Sequence, residues 1–334
     1  MAQLRLALVG ATGNLGREVI RLLEEGGFEE APILVASDMS SGETIPFLDG
    51  EHEVKVLKEY DFKNIDVAIF ATPKEISAQY VPAAVEAGAR VIDASAQYHA
   101  DEKVPLVVPF LNGEDLAKDA KIISIPDCPS VQLAATIGVL SDLAPIAHIT
   151  TTALVSTSGA GRMALDELYS QSAALLGGAG AEQVEAYEFP TQIAYNCLPQ
   201  VGQFNEKGET TAETAILLET NRLLKTPAPI TATSVRVPTF IGCSQSVTVE
   251  FTKPVEAKAA REALEKAEKI LVIDDPKKQE YSTPFGAAET DGVYVSRIRT
   301  DMLNPHILSF WVVSDNLRRG SGLNIVELLA LMAK

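Results

Sequence analysis

The chain has 334 residues with 28 basic and 45 acidic side chains, a formal net charge of −17, and 46% hydrophobic and 22% charged content. That is globular composition, long enough for two domains and a well-buried core. The acidic balance opposes the phosphate attraction on which nucleic-acid binding rests, and no apolar run approaches the roughly 20 residues of a membrane span.

The start, MAQLRLALVG, runs directly into a turn rather than a signal-peptide cleavage region, which reads as a cytoplasmic protein. Three dispersed cysteines, Cys128, Cys197 and Cys243, are too few for a disulfide scaffold, and the four histidines show no metal-ligand spacing. No metal is expected, so any sulfur chemistry is that of a nucleophile or a redox group.

In chain order, the first third alternates β-branched runs with amphipathic stretches: LRLALVG, REVIRLLEEGGF, PILVASD, DVAIFATP, YVPAAVEAGA, RVIDASA and KIISIPD. Strands separated by helices predict a parallel sheet covered on both faces. From about Ala147 the runs lengthen and alternate apolar with polar residues, as in HITTTALVST, ITATSVRVPTFI, SQSVTVEFT, GVYVSRIRT and HILSFWVVSDN. This period of two predicts a second, mainly antiparallel sheet with one buried face. GRMALDELYSQSAALL reads as an amphipathic helix, GGAGAEQ as a mobile loop, and residues 254–269 as a helix with a solvated charged face. The last segment, GLNIVELLALMAK, reads as an apolar-faced helix docked on the first domain.

Gly10, Ala11, Thr12, Gly13, Asn14, Leu15 and Gly16 follow the first strand and open the first helix. Glycines there allow a tight turn, close approach of a pyrophosphate to backbone N–H groups, and packing of helix on strand, and their βαβ setting favours a dinucleotide over a purely structural turn. Asp38, at the expected end of the second strand, either accepts hydrogen bonds from a ribose hydroxyl, which favours NAD, or merely caps the loop SDMSSG. Its neighbours Ser37, Ser40 and Ser41 offer hydroxyls to a phosphate.

Cys128 lies in SIPDCPSVQLAATIGVL, just before a helix whose expected first residue is Pro129. Dipoles at a helix N-terminus favour the thiolate, the nucleophilic form, whereas the adjacent Asp127 acts against it. Free cysteines are more often small buried hydrophobes, but a nicotinamide cofactor in the same chain points to thiol attack on a carbonyl coupled to hydride transfer.

GATGNLG, SIPDCPSVQ, STSGAGR, AYNCLPQ, ETNRLL, SVRVP followed by GCS, and WVVSDNLRRGSGLN, in that order, resemble the aspartate-semialdehyde dehydrogenase family over essentially the whole chain. The resemblance implies an α/β protein: a Rossmann-type dinucleotide-binding domain, residues 1–132 and 310–334, and a catalytic and dimerisation domain with a mainly antiparallel sheet, residues 133–309. It implies a homodimer, NADP or NAD as cofactor, a substrate bearing a carboxylate, and interconversion of L-β-aspartyl phosphate with its semialdehyde through a cysteine thioester. Cys128 matches the nucleophile and Arg236 the arginine that forks onto the carboxylate. Asn316, Ser158 and Gly159 match positions that approach the cofactor.

The chain also departs from the family pattern as the resemblance gives it. Cys243 stands where a histidine serves as general acid/base, His99 where an arginine grips the acyl phosphate, Ala215 where a lysine does, Val155 in place of a glutamine, and Met39 in place of an arginine associated with NADP. This combination is similar to the divergent Usg-type paralogues of the family. Two readings follow: a dehydrogenase with an altered substrate or weak activity, in which water, Cys243 as thiolate or His99 serves as the acid/base, or a catalytically silent dinucleotide-binding or redox-regulatory protein in which Cys128 and Cys243 pair as a disulfide. A reductase acting on N-acetylglutamyl phosphate fits the SGAG and RVP segments less well. Cys197 reads as packed core beside Pro199, Trp311 as core, and His52 and His148 as surface or edge residues.

Overall fold

The computed structural model describes residues 4–333. Apart from the two-residue pair Asp274–Asp275 with Glu280–Tyr281, its strands are β1 Leu6–Val9, β2 Ile33–Ala36, β3 Thr44–Phe47, β4 Gly50–Glu53, β5 Lys55–Val56, β6 Val67–Phe70, β7 Arg90–Asp93, β8 Ile122–Ser124, β9 Ile146–Val155, β10 Ile230–Arg236, β11 Cys243–Phe251, β12 Ile270–Val272, β13 Val293–Thr300 and β14 Ile307–Ser314. The longer helices are α1 Asn14–Glu25, α2 Lys74–Glu86, α3 Cys128–Ser141, α4 Arg162–Leu176, α5 Thr211–Leu223, α6 Ala257–Leu264 and α7 Leu323–Met332. The chain forms two compact units: Met1–Asp127 with Ser321–Lys334, and Cys128–Gly320.

In the first unit, six strands pair in parallel in the order β5-β2-β1-β6-β7-β8. β1 and β6 are buried at every position, as strands covered on both faces must be. One core cluster joins Leu6, Leu8, Val19, Ile20, Leu23, Ile69, Ile92 and Ile123 to Ile325, Leu328 and Leu329 of α7. The C-terminal helix therefore completes this unit, and each of its three fully buried aliphatic side chains contributes roughly 1.5–3 kcal/mol of burial. The hairpin β3–β4 and the short β5 were not anticipated; they carry few β-branched residues.

In the second unit the sheet order is β10-β9-β11-β14-β13-β12. The pairings of β9, β14 and β13 through β11 and β14 are antiparallel, and the outer pairs β10–β9 and β12–β13 are parallel. All five long alternating runs are strands. β14 is hydrogen-bonded along β11 from Ser314 to Ile307, so residues 310–320 belong to this unit; a boundary at 309/310 would cut the strand.

Four other expectations need correction. The helix read over 254–269 is confined to α6, because Val255 and the N-cap Glu256 are outside it and Lys269 adopts a positive φ of 62°. α3 begins at Cys128, one residue before Pro129. Trp311 is only half-buried: alternation along β14 sends Leu308, Phe310 and Val312 into the core and leaves Trp311 on the other face. Cys197 is exposed, since Leu198 exchanges backbone hydrogen bonds with Arg236 and turns inward while its neighbour turns out.

Candidate active site

In the first unit the loop after β1 is shaped by missing side chains. Gly10 has φ +88°, and a Cβ there would stand 2.2 Å from the backbone O of Ala71; one on Gly16 would stand 2.2 Å from the O of Gly10. α1 opens at Asn14 with Gly13 as N-cap and no side-chain cap, so its first turn turns backbone donors toward whatever lies at that end. Thr12 Oγ1 meets Ser40 Oγ at 3.1 Å, tying the glycine loop to the turn after β2.

β2 ends at Ala36, so Asp38 opens a one-turn 3₁₀ segment, Asp38–Ser40, and does not end the strand. Its carboxylate is exposed and accepts a hydrogen bond from Lys58 Nζ at 3.1 Å, an ion pair that holds its pKa below the usual carboxylate range. Ser37 and Ser41 are exposed and Ser40 is buried. Leu15 is half-buried against the core cluster. His99 is buried in this unit, and its charge acts on Asp93, whose carboxyl is nonetheless raised above its ordinary 3.8 by burial.

In the second unit Cys128 is the first residue of α3 and is 6% exposed. Its Sγ lies 3.4 Å from Ser314 Oγ and 3.7 Å from Gln132 Nε2, one helical turn further along α3. The same Nε2 donates to Ser314 Oγ at 2.7 Å and to the Cys243 carbonyl at 2.8 Å, while Gln132 Oε1 accepts from Gln245 Nε2 at 2.9 Å. Ser314 accepts from Gln132, which leaves its hydroxyl hydrogen to be aimed at the Cys128 sulfur. The backbone of Gly320 closes over the thiol: a Cβ there would come within 2.6 Å of Cys128 Cβ and Sγ.

Strand register sets the rest of this site. Arg236 of β10 pairs with Val155 of β9, Val155 with Cys243 of β11, and Cys243 with Ser314 of β14. Residues directly paired across strands project to the same face. The four side chains therefore form one row across the sheet, and Cys128 lies against its Ser314 end.

Arg236 is buried, donates from Nη1 to the Ser156 carbonyl at 2.5 Å, and lies with its guanidinium carbon 5.9 Å from the centre of the Phe189 ring. Burial lowers its pKa to about 10 and the nearby Cys243 pulls it back up, so it is cationic at neutral pH. Among the described residues no carboxylate forms an ion pair with it. A buried, hydrogen-bonded but unneutralised guanidinium is a receptor for an anion. Gly159 leaves room for it, since a Cβ there would meet Arg236 Nη1 at 3.3 Å.

Asn316 is drawn into the same end of the unit. Its Oδ1 accepts from Gly242 N at 2.7 Å and from Ser156 Oγ and Ser158 Oγ, and its Nδ2 donates to Ser158 Oγ at 3.0 Å. Ala215 is half-buried on α5.

Residues 138–319 match the family model described as the semialdehyde dehydrogenase dimerisation domain, and residues 5–119 match its NAD binding domain. The chain is 39% identical to the aspartate-semialdehyde dehydrogenase of Aquifex aeolicus, covering 99% of this chain and 98% of that one. It belongs to the aspartate-semialdehyde dehydrogenase family. The counterpart in Rickettsia bellii is 36% identical over 98% of this chain and 97% of its own length. Among solved structures, aspartate semialdehyde dehydrogenase II of Vibrio cholerae, complexed with ASA, superposes with a TM-score of 0.93 at 33% identity, covering 100% of this chain and 99% of that one. Family membership makes the protein an NAD(P)-binding oxidoreductase of amino-acid biosynthesis, and no helix among the described residues is long and apolar enough to cross a membrane.

Sequence reasoning picked out Cys128, Cys243, Arg236, Ser158, Gly159 and Asn316 but missed Gln132, Ser314, Gly320 and Phe189. Gln132 had a usable signal in its i, i+4 spacing from Cys128. Ser314 had none, being 186 residues away in sequence.

Proposed function

We propose that the protein interconverts an acyl phosphate and its semialdehyde, with L-β-aspartyl phosphate as the reference substrate, and that it does so as a homodimer. Cys128 carries the reaction. As thiolate it attacks the acyl carbon, a C–S bond forms, phosphate leaves, and the acyl group is held as a thioester. Ser314 and Gln132 orient the sulfur, and Arg236 forks onto the substrate carboxylate. Cys243, in the row between Val155 and Ser314, occupies the acid/base position.

The glycine loop suits a dinucleotide, because Gly10 and Gly16, where a Cβ would run into the Ala71 and Gly10 carbonyls, let the chain turn tightly into the uncapped start of α1. Gly10, Thr12, Gly13, Asn14, Leu15 and Gly16 would hold the phosphates, Ser37, Asp38 and Ser40 the adenosine ribose, and Ser158, Gly159 and Asn316 the nicotinamide end. When bound, NADP or NAD supplies or accepts the hydride. Asp38 favours NAD, and Lys58, which neutralises it, narrows that preference. His99 is assigned to the substrate phosphate by the family resemblance alone.

The observation that carries this reading is the convergence of Cys128, Gln132 and Ser314 on a sheet row that also bears Arg236. A thiol with reference pKa near 8.5 is a poorer acid/base at pH 7 than an imidazole near 6.5, and loss of a positioned acid/base costs about 10²–10⁴ in rate. Phosphate-dependent oxidation of aspartate semialdehyde should therefore be slow but measurable with NAD or NADP, and should fall to background in Cys128→Ser. Turnover that survives that substitution refutes the covalent route.

A silent, dinucleotide-binding paralogue is the second reading, favoured by the placement of the histidines. The second unit has only His148 and His306, beside Thr231 and the Phe251 carbonyl. His148 pairs in register with Glu250, seven residues along β11 from Cys243 and so roughly 20–25 Å from the row.

A further inference from the structure

We propose that Cys128 and Cys243 form a peroxide-reactive thiol pair, in which Cys128 is oxidised first and Cys243 resolves it to an intramolecular disulfide. Three independent features of the second unit support this.

The first is register. Cys243 is the ladder partner of Ser314, whose hydroxyl lies 3.4 Å from Cys128 Sγ. Partners directly opposite in an antiparallel pair have Cβ atoms roughly 4.5–5.5 Å apart on one face, so both cysteines present sulfur to the same rung of the sheet. The second is the shared amide. Gln132 Nε2 reaches the sulfur of one cysteine and the carbonyl of the other, at 3.7 and 2.8 Å. The third is charge. Arg236 stands in the row with Cys243, the two interact electrostatically, and a guanidinium beside a thiol favours the thiolate.

The two sulfurs differ in access. Cys243 is fully buried and Cys128 retains a small exposed surface backed by Gly320, so an oxidant meets Cys128 first. In the structure the two do not form a disulfide, so this is the reduced state of the pair.

The chemistry balances with hydrogen peroxide as the oxidant. The Cys128 thiolate attacks one peroxide oxygen, an S–O bond forms, the O–O bond breaks, and hydroxide leaves to become water. The Cys243 thiolate then attacks the sulfenic sulfur, the S–S bond forms, and the departing hydroxide is protonated to a second water. Two thiols lose two electrons in all, one peroxide becomes two waters, and an external dithiol reverses the step. No hydride transfer is involved, so the pair is testable whether or not the dehydrogenase reading holds.

The test uses the full-length protein with the exposed Cys197 changed to Ser, fully reduced, desalted and titrated with hydrogen peroxide. The expected result is an intact mass lower by two hydrogens, a peptide joining Cys128 to Cys243, and recovery of both thiols with a dithiol. In Cys243→Ser, and in Cys243→Ala as a second variant, the linked peptide should vanish. Cys128 should then be trapped by a cyclic dione as sulfenic acid and, untrapped, gain two oxygens irreversibly. Both thiols still open to alkylation after peroxide would overturn the proposal. So would equal, irreversible gain of two oxygens at Cys128 with and without Cys243, or a disulfide found only between molecules.

Discussion

In the first unit the Gly10–Gly16 loop owes its shape to side chains that are absent, whereas in the second unit Cys128 lies at the end of a row of side chains drawn from four strands, beside Gln132 of its own helix. The first kind of site is written in a few consecutive residues and tolerates change around it. The second is assembled by register: Arg236, Val155, Cys243 and Ser314 come from four strands and line up only when the sheet pairs them. Function can therefore drift one rung at a time in the second unit without disturbing the fold, while any side chain added to the first unit's loop must move backbone.

The sharpest way to break the first half of that contrast is Gly10→Ala. The new Cβ would press on the Ala71 carbonyl, and the positive φ alone costs of order 1–3 kcal/mol. Both the urea midpoint and the fluorescence-detected affinity for NADH should fall. An unchanged midpoint would mean that the loop is not held as described.

Arg236→Lys probes the second half. It keeps the charge and loses the fork onto a carboxylate, and one charged hydrogen bond lost at about 1.5–3 kcal/mol corresponds to roughly a 10–150-fold rise in KM for the semialdehyde. The urea midpoint should move little if the row tolerates change as proposed. Wild-type KM should stay level from pH 6 to 8, because a guanidinium titrating at about 10 keeps its charge throughout.

The smallest effect concerns Asp93, whose buried carboxyl binds its proton more tightly than it would unfolded. Such a group removes stability as pH climbs from its ordinary 3.8 through the raised value, and the loss is complete above it. Asp93→Asn should flatten that part of the stability–pH curve while keeping an acceptor for Ser95 Oγ, which donates to the carboxylate at 2.8 Å. A curve that falls as steeply in the variant would assign the loss to other groups.

Most of the fold was legible because its signals are local. Apolar runs marked the strands, two periods separated the parallel sheet from the mixed one, and the apolar face of α7 marked its docking in the first unit. The failures have physical causes too. Cys197 has a core-like residue type, yet the backbone pairing of Leu198 with Arg236 fixes which neighbour turns inward, and no sequence window contains that pairing. The glycine loop was readable, and the start of the Cys128 helix was readable to within one residue. Ser314 and Gly320 were not, because their meaning depends on a contact with Cys128, 186 residues before Ser314.

The most direct test of the account is the Cys243→His variant, assayed beside wild type for phosphate-dependent oxidation of aspartate semialdehyde with NAD and NADP. If the row holds a working thiol site short of one acid/base, an imidazole placed between Val155 and Ser314 should raise kcat by about 10²–10⁴, and a further Cys128→Ser change should abolish the gain. A correctly folded Cys243→His protein that turns over no faster than wild type would contradict the placement of Cys243 in the reaction.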